Sequence, residues 1–213
     1  MHKRARIILD QLDTFCQDPK PSLTYETPYQ LLIAVLLSAQ CKDERVNRVT
    51  PKLFQQGPTP QSMVKLPIEA LETIIYPCGF FKVKARYIHE LSQQLCTQYN
   101  GQVPSTLEAL ERLSGVGHKT ASVVMSHAFG AKTFPVDTHI YRLSLKWGLS
   151  KGPSVEKVEA DLKRIFPDSV WYKLHLQMID YGRKYCNRFA CTSQKLCPIC
   201  KALLELEKPS KTK

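Results

Sequence analysis

Two short segments of this 213-residue chain carry residue types and spacing that can do chemistry together. The first is Leu113-Ser114-Gly115-Val116-Gly117-His118-Lys119-Thr120-Ala121. A glycine hairpin that opens a helix offers backbone N–H groups and a positive dipole end to a phosphate. Glycines at 115 and 117 are expected to let the backbone reach positive φ and approach that phosphate without a Cβ. The same segment places a lysine, Lys119, at the start of the helix. The second segment, Pro135-Val136-Asp137-Thr138-His139, supplies a carboxylate. A phosphate, an amine and a carboxylate can thus meet in one cleft. On residue type alone, Lys119 reads equally as a surface lysine that binds phosphate. Asp137 reads equally as a cap for the helix that Thr138-His139-Ile140 begins.

A third group is metal-ligating in character. Of eight cysteines, Cys16, Cys41, Cys78 and Cys96 lie scattered and read as small core residues, whereas Cys186, Cys191, Cys197 and Cys200 form a C-x4-C-x5-C-x2-C run. In a reducing compartment a disulfide framework is disfavoured, so the run reads as a metal or iron–sulfur site. Arg183, Lys184, Arg188 and Lys195 surround it and offer contacts to phosphate.

The elements that must position these groups read as almost entirely helical. Ile8, Leu12 and Phe15 recur at helical spacing, and Leu31 to Leu37 are apolar on every face, as in a buried helix. Ile68, Leu71, Ile74 and Ile75 form a helix that Pro77-Cys78-Gly79 ends. Ile88, Leu91 and Leu95 mark the next, which stops at Asn100-Gly101. Ser105-Thr106-Leu107-Glu108 has the form of a capping box, followed by the hairpin and a helix from Thr120 to Phe129. Two more amphipathic helices follow Ser154 and Ser169, and the tail Lys208 to Lys213 is expected to be disordered.

Charge points to the partner. Thirty Lys and Arg against nineteen Asp and Glu leave a formal charge of +11, which favours a polyanion, nucleic acid first. The longest apolar run, Leu31–Leu37, is about a third of the roughly 20 residues that cross a bilayer. Ile7-Ile8-Leu9 is too short to be a signal-peptide core, so a cytoplasmic, nucleoid-associated monomer with no targeting segment and no membrane partner is expected.

Leu113 to Val124, followed by Phe134-Pro135-Val136-Asp137-Thr138-His139, resembles the helix-hairpin-helix DNA glycosylase superfamily, which joins this hairpin to a Gly/Pro-rich loop and a catalytic aspartate. Within it the chain most resembles the endonuclease III family, from roughly Thr27 to Cys200. Leu36-Leu37-Ser38-Ala39-Gln40, Asp43 with Val46-Asn47, Gly79-Phe80 with Lys84-Ala85, and Tyr181-Gly182-Arg183 match in order. The resemblance implies an all-α fold of two helical domains flanking a cleft. Residues 22–132 would hold the helix-hairpin-helix at about 105–129. Residues 1–21 with 133–213 would form a discontinuous domain carrying a cluster loop at 186–200.

It also implies an activity: removal of oxidised pyrimidines from duplex DNA and cleavage of the abasic site by β-elimination. Lys119 would be the nucleophile, favoured as a neutral amine by the helix dipole and by desolvation. Asp137 would stabilise positive charge developing on the sugar. The damaged nucleotide must be flipped out. By position Gln40 would fill the space it leaves, and Phe80 would be the apolar wedge where the family more usually has leucine. Gly115, Val116, Gly117, His118, Thr120 and His139 would add DNA contacts.

The cysteines depart from the family, which binds a [4Fe-4S] cluster through C-x6-C-x2-C-x5-C. Cys186 and the Cys197/Cys200 pair match, no cysteine follows Cys200, and Cys191 is the available fourth thiolate. A four-thiolate zinc site and loss of the metal stay open. Two other functions compete. An adenine glycosylase relative would generally lack the hairpin lysine and carry a further C-terminal domain, for which the chain leaves no room. A non-catalytic DNA-binding module would use the hairpin for phosphate alone.

Overall fold

The computed structural model describes residues 2–187, 189–192 and 194–208. Among them there are helices and turns and no strand. In chain order the α-helices are α1 (Lys3–Phe15), α2 (Pro28–Ser38), α3 (Asp43–Gln56), α4 (Pro60–Val64), α5 (Ile68–Ile75), α6 (Phe81–Gln98), α7 (Leu107–Glu111), α8 (His118–Phe129), α9 (Thr138–Lys146), α10 (Val155–Ile165), α11 (Trp171–Lys184) and α12 (Pro198–Glu207). No helix among the described residues is long and apolar enough to cross a membrane.

The chain divides into two compact units, Pro21–Ala131 and a discontinuous one of Met1–Lys20 with Lys132–Lys213. In the first, α2 is the central element. The Thr27 side chain accepts from the Gln30 N–H at 3.2 Å, Pro28 takes the first helical position, and Leu31 to Leu37 are all buried. Apolar residues on every side of a helix require neighbours on every side. α3, α6 and α8 pack around it, and Leu71, Ile75, Ile88, Leu91 and Leu95 join the same core.

Helix ends decide where the hairpin falls. Thr106, not Ser105, caps α7, its side chain accepting from the Ala109 N–H at 3.3 Å. Glu108 therefore falls inside the helix, and the capping box expected from Ser105 to Glu108 does not form. α8 starts at His118, two residues earlier than Thr120, and ends at Gly130, which adopts a left-handed conformation at φ +64°.

The discontinuous unit has its own core around Trp147, Tyr181, Phe134 and Phe166. The Trp147 and Tyr181 rings meet edge to face at 5.8 Å. α1 packs against α11 and α12, and Arg4 donates to the Trp147 carbonyl at 3.1 Å and to Glu207 at 2.6 Å. α1 and α12 thereby share one core. Residues 209–213 of the expected disordered tail, and Arg188 of the basic residues near the cysteines, lie outside the described residues.

Candidate active site and metal centre

The two hairpin glycines differ in kind. Gly115 sits at φ +74°, and a Cβ there would lie 2.7–2.8 Å from the Tyr87 ring and Cβ. Glycine at 115 is required twice over, by conformation and by contact. Gly117 is instead extended, at φ −94°, ψ 174°, so the positive φ expected there is absent. Its outer face is open, since a Cβ would meet nothing within 4 Å.

Val116 has its side chain in the core, and its N–H is already bonded to the Leu113 carbonyl at 3.1 Å. That bond closes the turn. The Ser114 N–H is held by Gln94 Oε1 at 2.8 Å, which fixes the hairpin to α6.

Gly117 is the N-terminal cap of α8, and no side chain caps this helix. The first N–H groups of an α-helix have no partner within it, so the Gly117–His118–Lys119 entry keeps its donor character. His118 is exposed and its Nδ1 meets Glu111 Oε1 at 2.7 Å, which anchors the ring to α7. Lys119 and Thr120 are half-buried in the first turn.

His127, on the same helix two turns on, escaped the sequence reading. It is half-buried, and burial first and the Lys119 charge second push its pKa down to about 4. Near neutrality it therefore adds no second positive charge beside the lysine. A histidine eight residues after a lysine on one helix was the available signal.

Asp137 caps α9, its Oδ1 accepting from the Ile140 N–H at 2.8 Å. The capping reading of this residue is thus real. A carboxylate has a second oxygen, so capping fixes its position without exhausting its acceptors. His139, in the first turn of α9, is half-buried beside Gly182 of α11.

Gln40 and Phe80 occupy two further turns of the Pro21–Ala131 unit. Gln40 follows the end of α2 at φ +53°, and Phe80 precedes α6 at φ +49°. Both are exposed, Phe80 to 65%. Left-handed backbone at residues other than glycine costs roughly 1–2 kcal/mol each and persists only where the surroundings impose it.

The four C-terminal cysteines converge. One sulfur from each of Cys186, Cys191, Cys197 and Cys200 lies within 4.8 Å of the others, and the first three are buried. Cys197 caps α12 with Pro198 behind it, so the C-x2-C pair occupies that helix's first turn. Two cations on α9 brace the loop. Arg142 donates to the carbonyls of Cys186 at 2.6 Å and Gly182 at 3.3 Å, and Lys146 to the Cys191 carbonyl at 2.8 Å and Sγ at 3.1 Å.

Hydrogen bonds with Cys186 and Cys200 push the Cys197 thiol far down, while those with Cys186 and Cys197 push Cys200 far up. Four thiols this close cannot all ionise without a cation among them. The donor set, its convergence and its burial fit a four-thiolate metal group. Arg142 and Lys146, one turn apart, were missed because nothing local marks them as facing the loop.

Comparison with known proteins agrees with this geometry. The pattern of HhH-GPD superfamily base excision DNA repair proteins matches residues 33–168. Endonuclease III of Synechocystis sp. is 40% identical over 206 residues, covering 94% of each chain. That of Haemophilus influenzae is 42% identical over 187 residues, 87% of this chain and 89% of its own. A structure of a trapped endonuclease III–DNA covalent intermediate, in an estranged-adenine complex, superposes with a TM-score of 0.85 at 39% identity, covering 96% of this chain and all of that one. With both the hairpin and the four-cysteine loop in place, the chain belongs to the HhH-GPD superfamily of base-excision DNA repair proteins and, within it, to the endonuclease III family.

Proposed function

We propose that this protein excises oxidised pyrimidines from duplex DNA and cuts the strand at the resulting abasic site. The observation that carries the proposal is Lys119 in the first turn of α8, behind a hairpin whose helix no side chain caps. The open face at Gly117 and the N–H groups at the start of α8 hold a phosphate of the damaged strand, which positions the sugar without reading sequence.

The neutral amine of Lys119 attacks C1′, and the C1′–N bond to the base breaks. The base leaves with a proton, and ring opening gives a Schiff base between Nζ and C1′. Asp137 stabilises positive charge on the sugar as the base departs, and assists the proton transfers. Loss of a C2′ proton expels the 3′ phosphate by β-elimination, and hydrolysis frees the lysine.

Gln40 and Phe80 enter the duplex, Gln40 filling the place of the extruded nucleotide and Phe80 parting the base steps. His118, Thr120 and His139 add contacts to the strand. The four cysteines hold a [4Fe-4S] cluster. When bound, that group cross-links the loop between α11 and α12 and supplies no chemistry to the DNA. Such a substrate places the enzyme with the chromosome in the cytoplasm.

Borohydride reduction during reaction with abasic-site DNA tests the reading. A covalent protein–DNA adduct is expected, and it should vanish in Lys119→Gln. Absence of an adduct with the unaltered protein would overturn the lyase reading.

A further inference from the structure

Lys84 is the one lysine among the buried polar residues of the Pro21–Ala131 unit, 5% exposed. It stands on α6 in line with Ile88, Leu91 and Leu95, where the apolar stripe calls for another hydrophobic side chain. Its ammonium has three N–H donors, and three backbone carbonyls receive them: Leu37 at 2.9 Å, Ala39 at 2.8 Å and Cys78 at 3.0 Å. No carboxylate pairs with it among the described residues. Burial pulls its pKa down.

A buried cation facing only neutral dipoles is a poor way to fill core volume, since a methionine of similar length would cost less to desolvate. The three carbonyls show what the cation is for. The Ala39 carbonyl belongs to the peptide that enters Gln40, and the Cys78 carbonyl to the peptide that enters Gly79, just before Phe80. Gln40, Gly79 and Phe80 all hold positive φ, at 53°, 65° and 49°. Leu37 lies in the last turn of α2, whose carbonyls lack intrahelical partners and favour a cation. A single ammonium therefore ties the turn that carries Gln40 to the turn that carries Phe80. Arg45 adds a second tie to the latter, donating to the Pro77 carbonyl at 3.2 Å.

We propose that Lys84 is a positioning residue for base extrusion, fixing the separation of Gln40 and Phe80 so that filler and wedge enter the duplex together. This rests on the insertion roles given to those two residues above. Lys84 itself touches no DNA and takes no part in the chemistry at Lys119.

The test compares borohydride trapping on two probes, an abasic site in a duplex and the same site in a single strand, which has no opposing strand and no stacked helix for Gln40 and Phe80 to enter. Lys84→Met is expected to lower the duplex-to-single-strand ratio of trapping rates by about tenfold or more, since a misplacement of about 1 Å can cost a hundredfold. In a Gln40→Ala/Phe80→Ala background, the same change should move the ratio no further. An unchanged ratio, or equal slowing on both probes, would overturn the proposal, because a merely structural lysine would affect both alike. If Lys84→Met does not fold, Lys84→Gln is measured in its place, and failure of both to fold would equally overturn a positioning role. If Gln40→Ala/Phe80→Ala alone leaves the ratio untouched, the insertion reading itself is wrong. A lowered ratio there with none in the Lys84 variants would refute the positioning role only.

Discussion

The hairpin glycines give the sharpest test of how this sequence divides folding from binding. Gly115→Ala places a Cβ at φ +74°, where it meets Tyr87 at 2.7 Å. The left-handed conformation costs about 1–2 kcal/mol for alanine, and forcing a methyl into filled space costs about 1–3 more. Loss of unfolded-state entropy returns about 0.4–1 kcal/mol. The net destabilisation is about 1–5 kcal/mol, a fall in unfolding midpoint of about 2–20 °C for a chain of this size.

Gly117→Ala should behave differently. Its φ of −94° suits alanine, and there is room for the methyl. Alanine caps a helix less well than glycine, but the unfolded-state gain offsets this, so stability should change by less than about 0.5 kcal/mol. Its methyl would stand where the proposed phosphate contact lies, and affinity for a duplex carrying a reduced abasic analogue should fall about tenfold, about 1.4 kcal/mol.

Thermal unfolding and fluorescence anisotropy separate the two effects. Adding Tyr87→Ala to Gly115→Ala should recover the ring's part of the contact share and leave both the contact with the remaining Cβ at 2.8 Å and the conformational share, a coupling of about 1–2 kcal/mol. The reasoning fails if Gly117→Ala melts as low as Gly115→Ala, or if it binds DNA as tightly as the unaltered protein.

Two other outcomes follow from the site. His127 has a folded pKa of about 4 against an ordinary 6.5, so between these values the unfolded chain takes up a proton that the folded one refuses. Stability is full above pH 6.5 and falls as the pH drops through 4, by at most about 3 kcal/mol. His127→Gln should shrink the difference between urea unfolding at pH 7 and at pH 4, and an undiminished difference would refute the assignment. For the cysteine loop, purified protein should be yellow-brown and contain iron. Cys191→Ser should lose both colour and iron, whereas stoichiometric zinc in colourless unaltered protein would replace the cluster with a single-metal site.

Much of the proposed site was legible because its signals are local. Lys119 announces itself through the glycine hairpin beside it, and Asp137 through the proline loop before it. The roles within a motif were less legible. The spacing of Gly115 and Gly117 is symmetrical in sequence, yet only Gly115 faces Tyr87, which lies on α6 and is brought there by the core. Ser105 and Thr106 can both accept a bond, and α7 starts from Thr106, with Leu110 buried.

Lys84 entered the sequence analysis only as part of a matching segment, and the break that it makes in an apolar stripe was passed over. Residues 84, 88, 91 and 95 share one face of a helix, and a lysine in the first of those places breaks the apolar stripe. What it bonds is not written nearby, because its carbonyls come from Leu37 and Ala39 as well as Cys78.

The cysteine run poses the converse case, in which the order along the chain departs from the family while the arrangement in space does not suffer. A metal group asks for four sulfurs at the right separation and is indifferent to which comes first. Cys186 follows the end of α11, the Cys197/Cys200 pair is held by the first turn of α12, and Cys191 is pinned by Lys146 from α9. With two helices, α11 and α12, setting three corners, the fourth thiolate can come from the segment before the pair as well as from one after it. Lys146 bonds the Cys191 carbonyl and Sγ, so in the proposed four-thiolate site its ammonium should matter more to metal retention than a surface lysine would.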